Sequence, residues 1–176
     1  MMHAKNQKYL ETLELAGGLL EKCLSHVKGG CSENGRLSAT KLDAAQQVTS
    51  DLALSASELA CAKSFLEYSE SKGDLEHELA QTFSAEMIIN IRARILRCPE
   101  DFGCELADLE VLDVVAGWDK LCAANLQKLG QTIVDGNGAI GDRGLEEEKH
   151  LMVETFHQFS EDVVKRWAED IHRKDL

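Results

Sequence analysis

The chain has 176 residues, 44% of them hydrophobic and 28% charged, which excludes a disordered polypeptide and supplies a real core for one domain, or one and a small fraction. Its 31 acidic against 19 basic side chains leave a formal net charge of −12. A field of that sign repels polyanions, so nucleic acid and anionic membrane are set aside as partners.

One proline, abundant Leu, Ala and Glu, and few β-branched residues leave little material for strands, so an all-α fold is expected. Leu10, Leu13, Ala16, Leu20, Leu24 and Val27 recur every three or four positions and predict a first helix over 5–28, stopped by Gly29 and Gly30. Gly17 and Gly18 interrupt it, either to let another helix approach or to bend it. Thr40 and Asp43 have capping-box spacing, and a second helix is expected from there to Ser71 through Leu42, Ala45, Val48, Leu52, Leu59 and Leu66. Gly73 ends it and Asp74 caps a third. That helix carries Leu75, Leu79, Phe83, Met87, Ile91 and Ile95 and stops before Pro99. A turn over 99–103 leads to a fourth helix with Leu106, Leu109, Leu112, Val115, Trp118, Cys122, Leu126 and Leu129, closed by Gly130. About four helices with short connections predict an antiparallel bundle over residues 5–130.

Residues 131–144 hold the densest cluster of turn residues, Asp135 to Gly138 and Gly141 to Gly144, and read as a Gly-rich linker. Residues 145–176 form one further long helix. Glu146, Glu147 and Glu148 suit its positive end, and Arg173 and Lys174 its negative end. Met152, Phe156, Phe159, Val163 and Trp167 fall within a stripe narrower than about 90°, with Leu145 on the same side, and form the candidate interaction face. No stop signal precedes Leu176, so more polypeptide is expected beyond it.

Chemical motifs are sparse. Gly136-Asn137-Gly138-Ala139-Ile140-Gly141 spells GxGxxG, but no βαβ unit surrounds it and three glutamates open the next helix, so a linker is expected rather than a dinucleotide site. Read as an EF-hand loop, the segment lacks a ligand at Ala139 and a glycine at Ile140, so calcium is not expected. Glu147-x-x-His150 and Glu154-x-x-His157 have the spacing of di-iron bundles, but both lie on one helix, on the side away from Phe156 and Phe159, and should face water. His3, His26, His77, His172, Arg92, Arg94 and Arg97 are read as surface residues. Cys23, Cys31, Cys61, Cys98, Cys104 and Cys122 are scattered without CxxC pairs and are expected to be reduced thiols. The nearest pair, Cys98 and Cys104, brackets Pro99. The stretch Met1–Lys8 has no secretory or transit character and no run spans a bilayer, so a cytoplasmic location is expected.

Leu145 to Asp175 resembles the opening helix of the acyl-CoA dehydrogenase family. The matching residues are Glu147, Met152, Phe156, Phe159, Ser160, Glu161, Val164, Ala168 and Ile171. Family members often carry proline where Arg166 stands, so a straighter helix is expected here. Upstream, 46–65 and 79–103, including SAEMIINIRARILRCPEDFG, are similar to the helical N-terminal extension of methylsuccinyl-CoA dehydrogenase-type members. The resemblance implies a truncated, non-catalytic N-terminal part of a flavoenzyme that oxidises an acyl-CoA thioester at its α,β carbons. FAD and the acyl-CoA substrate then belong to the parent enzyme; no cofactor is expected on this chain, and no catalytic, cofactor-binding or metal-ligating residue is carried over. The expected partner is the remainder of that enzyme or a second copy of the chain, and oligomers are expected. The alternative is a self-standing helical interaction module that docks through its C-terminal amphipathic helix. A bundle metalloenzyme using the Glu and His pairs is a third reading.

Overall fold

The computed structural model describes residues 4–112, 117–138 and 144–174. The chain divides into two compact units, Met1–Gly141 and Asp142–Leu176, so the boundary falls inside the Gly-rich segment. In the first unit, α1 (Ala4–Gly30) leads through a hairpin of β1 (Ser32–Glu33) and β2 (Arg36–Leu37) to α2 (Ala39–Ala44), α3 (Gln46–Ser69) and α4 (Asp74–Leu96). A 3₁₀ turn (Pro99–Phe102), α5 (Leu106–Glu110), a second 3₁₀ turn (Trp118–Leu121) and α6 (Ala123–Asp135) complete it. No described helix is long and apolar enough to cross a membrane.

The fold is all-α, with α1, α3 and α4 packed as a bundle. Cross-contacts fix their directions. Asn6 meets Ser69, and Gly17 lies opposite Leu59 and Lys63, so α1 and α3 are antiparallel. Phe65 meets Phe83 with ring centroids 5.9 Å apart and Arg94 reaches Glu58, so α3 and α4 are antiparallel too. The α1 core row is Leu13, Ala16, Leu20, Cys23 and Val27, one every three or four residues. It packs with Leu66 of α3 and Ile88, Ile91 and Ile95 of α4, and Phe102, Leu109 and Leu112 close the bottom. Leu24 falls off this row and is 55% exposed.

A polar knot ties the other end. Asn6, wholly buried, donates from Nδ2 to Ser69 Oγ at 2.9 Å and Glu70 Oε1 at 2.6 Å. Gln81 Nε2 donates to Asn6 Oδ1 at 3.1 Å, and His77 Nδ1 lies 3.2 Å from Asn6 Nδ2. The Ser69 hydroxyl donates in turn to the Leu66 carbonyl at 2.8 Å. His77 is therefore a core residue and not a surface one. Arg94 also leaves the surface class: its guanidinium forks onto Glu58 at 2.5 and 2.7 Å with both side chains largely buried. That carboxylate holds the Arg94 guanidinium above its ordinary range.

Several helix ends differ from their sequence signals. Gly29 and Gly30 lie inside α1, neither with positive φ; the reversal comes later, at Asn34 (φ 50) and Gly35 (φ 75), the two central residues of the β1–β2 turn. Thr40 and Asp43 form no capping box, since α2 already begins at Ala39 after Ser38. The expected second helix breaks at Ala45 (φ −104, ψ 21). This break separates α3 from α2, which the hairpin holds through Lys41 Nζ donating to the Ser32 carbonyl at 3.1 Å. Gly73, rather than Asp74, precedes the first turn of α4, and its amide donates to Glu76 Oε2 at 3.1 Å.

The expected fourth helix is in pieces. Gly117 has φ +114, and a Cβ there would sit 2.8 Å from the Tyr9 ring, so the chain crosses α1 too closely for a side chain. Cys122 is extended and starts α6. Of the expected face, Leu109 and Leu112 are buried, whereas Leu106, Trp118 and Leu126 are exposed; Val115 lies outside the described residues. α6 passes through Gly130 and the start of the supposed linker to Asp135.

Gly17 meets Leu59 Cδ2 at an ordinary 3.5 Å from its would-be Cβ, and Gly18 faces open space. Neither position requires glycine. Gly103 does, with φ +68 and a would-be Cβ only 2.3 Å from His26 Cγ. Gly18→Ala should therefore stabilise the chain by about 1 kcal/mol in urea unfolding, and Gly103→Ala should destabilise it by about 2 kcal/mol. Asn6→Ala, which strands several buried polar groups at once, should cost at least about 2 kcal/mol in the same measurement.

Candidate functional site

The second unit is a single helical rod: α7 (Glu147–Phe159), a π-helical turn (Ser160–Val164) and α8 (Lys165–Lys174). Glu146 precedes its first turn and accepts the His150 amide at 2.9 Å. Ion pairs line the polar flank, with Lys165 to Glu161 at 2.6 Å, Arg173 to Glu169 at 2.6 Å and Lys174 to Asp170 at 3.0 Å. Such exposed (i, i+4) pairs favour helix only weakly, and a helix without tertiary packing is marginal in water.

The predicted interaction residues Met152, Phe156, Phe159, Val163 and Trp167 are between 45% and 68% exposed. The rod runs unbroken from Glu147 to Lys174 but is not α-helical throughout. Its π turn takes up about one extra residue, so everything after it lags by about 100°. Val164 and Ile171 then come onto the stripe and Val163 moves to its edge. The face becomes Met152, Phe156, Phe159, Val164, Trp167 and Ile171, spaced alternately by four and three once the extra residue is discounted. That is the seam of a helix that packs along another helix. Burying six such side chains is worth roughly 10 kcal/mol gross, comparable to the cost of association.

The other motifs resolve into local structure. Glu147, His150, Glu154 and His157 are all exposed, as a solvated flank requires, and His150 Nδ1 approaches Glu154 at 3.5 Å instead of converging with Glu147. Among the described residues no group of three or more His, Cys, Asp or Glu side chains is placed to hold a metal ion. The start of the GxGxxG string is a helix stop: the Gly138 amide bonds the Ile133 carbonyl at 2.8 Å and the Asn137 amide the Val134 carbonyl at 2.9 Å. Asn137 takes the left-handed conformation (φ 54) of a Schellman cap. Ala139, Ile140 and Gly141 lie outside the described residues, as does His3. His26 and His172 are exposed.

Two features of the first unit escaped sequence reading. An open apolar groove of about 480 Å³ runs between α1 and α3, walled by Leu20, Leu24, Val27, Leu42, Leu52 and Leu59 with Glu21, Lys28 and Lys63 among its polar residues. It exists because Gly17, Ala53 and Ala56 on its walls are too small to fill it; Gly17 was its one sequence signal. The second is a pair of thiols. All six cysteines are free, but Cys23 of α1 and Cys104, just past Gly103, have their sulfurs 3.4 Å apart in the core. Burial, and then the neighbouring Cys104, push the Cys23 thiol up to about 12.

Searches of protein-family models and of curated proteins find no match to the chain.

Tyr9, buried beneath Gly117, is pushed up to about 12 by burial first, then by Asp119 and Glu78. Its raised value leaves stability untouched below pH 10 and removes it as the pH climbs from 10 toward 12, by up to about 2 to 3 kcal/mol. The difference in unfolding free energy between wild type and Tyr9→Phe should therefore drift across that window and be constant below it.

Proposed function

We propose that the chain is a non-catalytic helical docking module, whose terminal rod pairs lengthwise with a helix of a protein partner. The observation that carries this reading is the continuous apolar seam of Met152, Phe156, Phe159, Val164, Trp167 and Ile171, solvent-exposed along a rod whose polar flank carries ion pairs. An exposed patch of this size and regularity marks an interaction surface. The metalloenzyme reading has no support from the exposed, unconverged Glu and His side chains.

A narrower identity for the partner is the catalytic domain of an acyl-CoA dehydrogenase-like flavoenzyme, with this chain as its N-terminal helical part. Its support is the residue pattern from Glu147 to Ile171, together with the π turn that brings two pattern positions, Val164 and Ile171, onto the seam. FAD and an acyl-CoA thioester would then be bound by that domain. A native reading frame that runs on past Leu176 into a flavin-binding domain would support the narrower identity; a stop codon there leaves only the docking module.

With no partner present, a second copy should take the seam. Sedimentation of the purified chain should show a dimer or larger species, and Phe159→Asp combined with Trp167→Asp should return it to monomer while its helical circular dichroism is retained. A variant with the same mass in solution as the wild-type oligomer would contradict docking through this face. The isolated chain should also purify without flavin absorbance.

A further inference from the structure

We propose that Cys23 and Cys104 are an oxidation site, at which hydrogen peroxide joins them in an intramolecular disulfide between α1 and the segment entering α5. Of the six cysteines, these are the two whose sulfurs lie within hydrogen-bonding distance, at 3.4 Å across 81 positions of sequence. A disulfide needs about 2.05 Å, so the sulfurs must close by about 1.4 Å. Cys23 is fixed within the C-terminal half of α1, whereas Cys104 lies outside regular structure between the Pro99–Phe102 turn and α5, where a side-chain rotation and a small backbone shift can supply the movement. The junction is already clamped on its outer side by Lys22 and Asp108, 2.5 Å apart, from the residue before Cys23 and the first turn of α5.

The surroundings assign the two sulfurs different parts. Cys23 is wholly enclosed and its high pKa keeps it a thiol, while Cys104 retains the only surface of the pair, at 7%. Peroxide is close to water in size, so it reaches Cys104 where a larger disulfide oxidant would not. The Cys104 sulfur attacks one peroxide oxygen and the O–O bond breaks; the departing hydroxide takes up the Cys104 proton as water, and Cys104 becomes a sulfenic acid. The Cys23 sulfur then attacks the Cys104 sulfur; the S–O bond breaks and the departing hydroxide takes up the Cys23 proton as water. In sum, two thiols and one hydrogen peroxide give one disulfide and two waters, the cysteines losing two electrons and the peroxide gaining them. A dithiol such as dithiothreitol reverses the bond by thiol–disulfide exchange.

The test uses the full chain with exposed Cys61 and Cys122 replaced by Ser. Treatment with hydrogen peroxide, removal of the excess with catalase, alkylation and tryptic digestion should yield peptides 23–28 and 98–120 joined, lighter than the two free peptides by two hydrogens, with fragmentation placing the bridge at Cys104 and the alkyl group at Cys98. Dithiothreitol should separate them. Adding Cys23→Ser should abolish the pair and leave a Cys104 sulfenic acid that a dimedone probe captures. Cys104 recovered as sulfinic acid beside an unmodified Cys23, or bridged to Cys31 or Cys98, would overturn the proposal. So would two intact thiols at peroxide doses that oxidise the exposed cysteines of the wild type.

Discussion

The Asn6 carboxamide is buried where α1 begins, α3 ends and α4 begins, and groups from both other helices meet it there. A buried amide without partners costs more than any single leucine contact gains, so the helices are held to the one longitudinal setting in which Ser69, Glu70, His77 and Gln81 reach it together. Apolar side chains alone would tolerate sliding by a turn, since one aliphatic row resembles the next. With the polar end pinned, Leu13 falls against its α3 and α4 neighbours, and Cys23 arrives opposite Cys104 near the other end of the bundle. The close crossing at Gly117 and the wedge of Gly103 against His26 are details that only this setting permits.

The two units solve the problem of helix stability in different ways. The first buries aliphatic rows and a forked Arg94–Glu58 pair in a shared interior. Among its described residues the second buries none; ion pairs one turn apart lie along its polar flank and the apolar seam is left exposed. The groove between α1 and α3 is a lesser concavity, left by small residues and lacking convergent polar groups that would orient a ligand.

How much of this was legible in the sequence depended on the range of the interaction involved. The long helices α1, α3 and α4 follow from apolar periodicity, and so does the stripe of the terminal rod, because a period is a local property. Glycine alone does not mark the helix ends. Gly29, Gly30 and Gly130 are helical, whereas Gly117, inside an apparently continuous apolar pattern, breaks the chain because Tyr9 lies beneath it. The Asn34-Gly35 hairpin carried a strong local signal that an all-helical expectation passed over. The burial of His77 and Arg94 could not be read locally, since their partners Asn6 and Glu58 stand 71 and 36 positions away.

The π turn at Ser160–Val164 has a bearing on how the rod can vary in length. A turn wider by one residue is what a single-residue insertion leaves behind when the flanking helix keeps its orientation. Deleting one residue between Ser160 and Val164 would close the turn to ordinary α geometry while Trp167 and Ile171 still point where they did. The same deletion within α7 would swing Met152 about 100° away from the later positions and divide the seam in two. The rod thus has one place where its length is free to change by a residue without cost to its apolar face, and that place lies between Phe159 and Trp167.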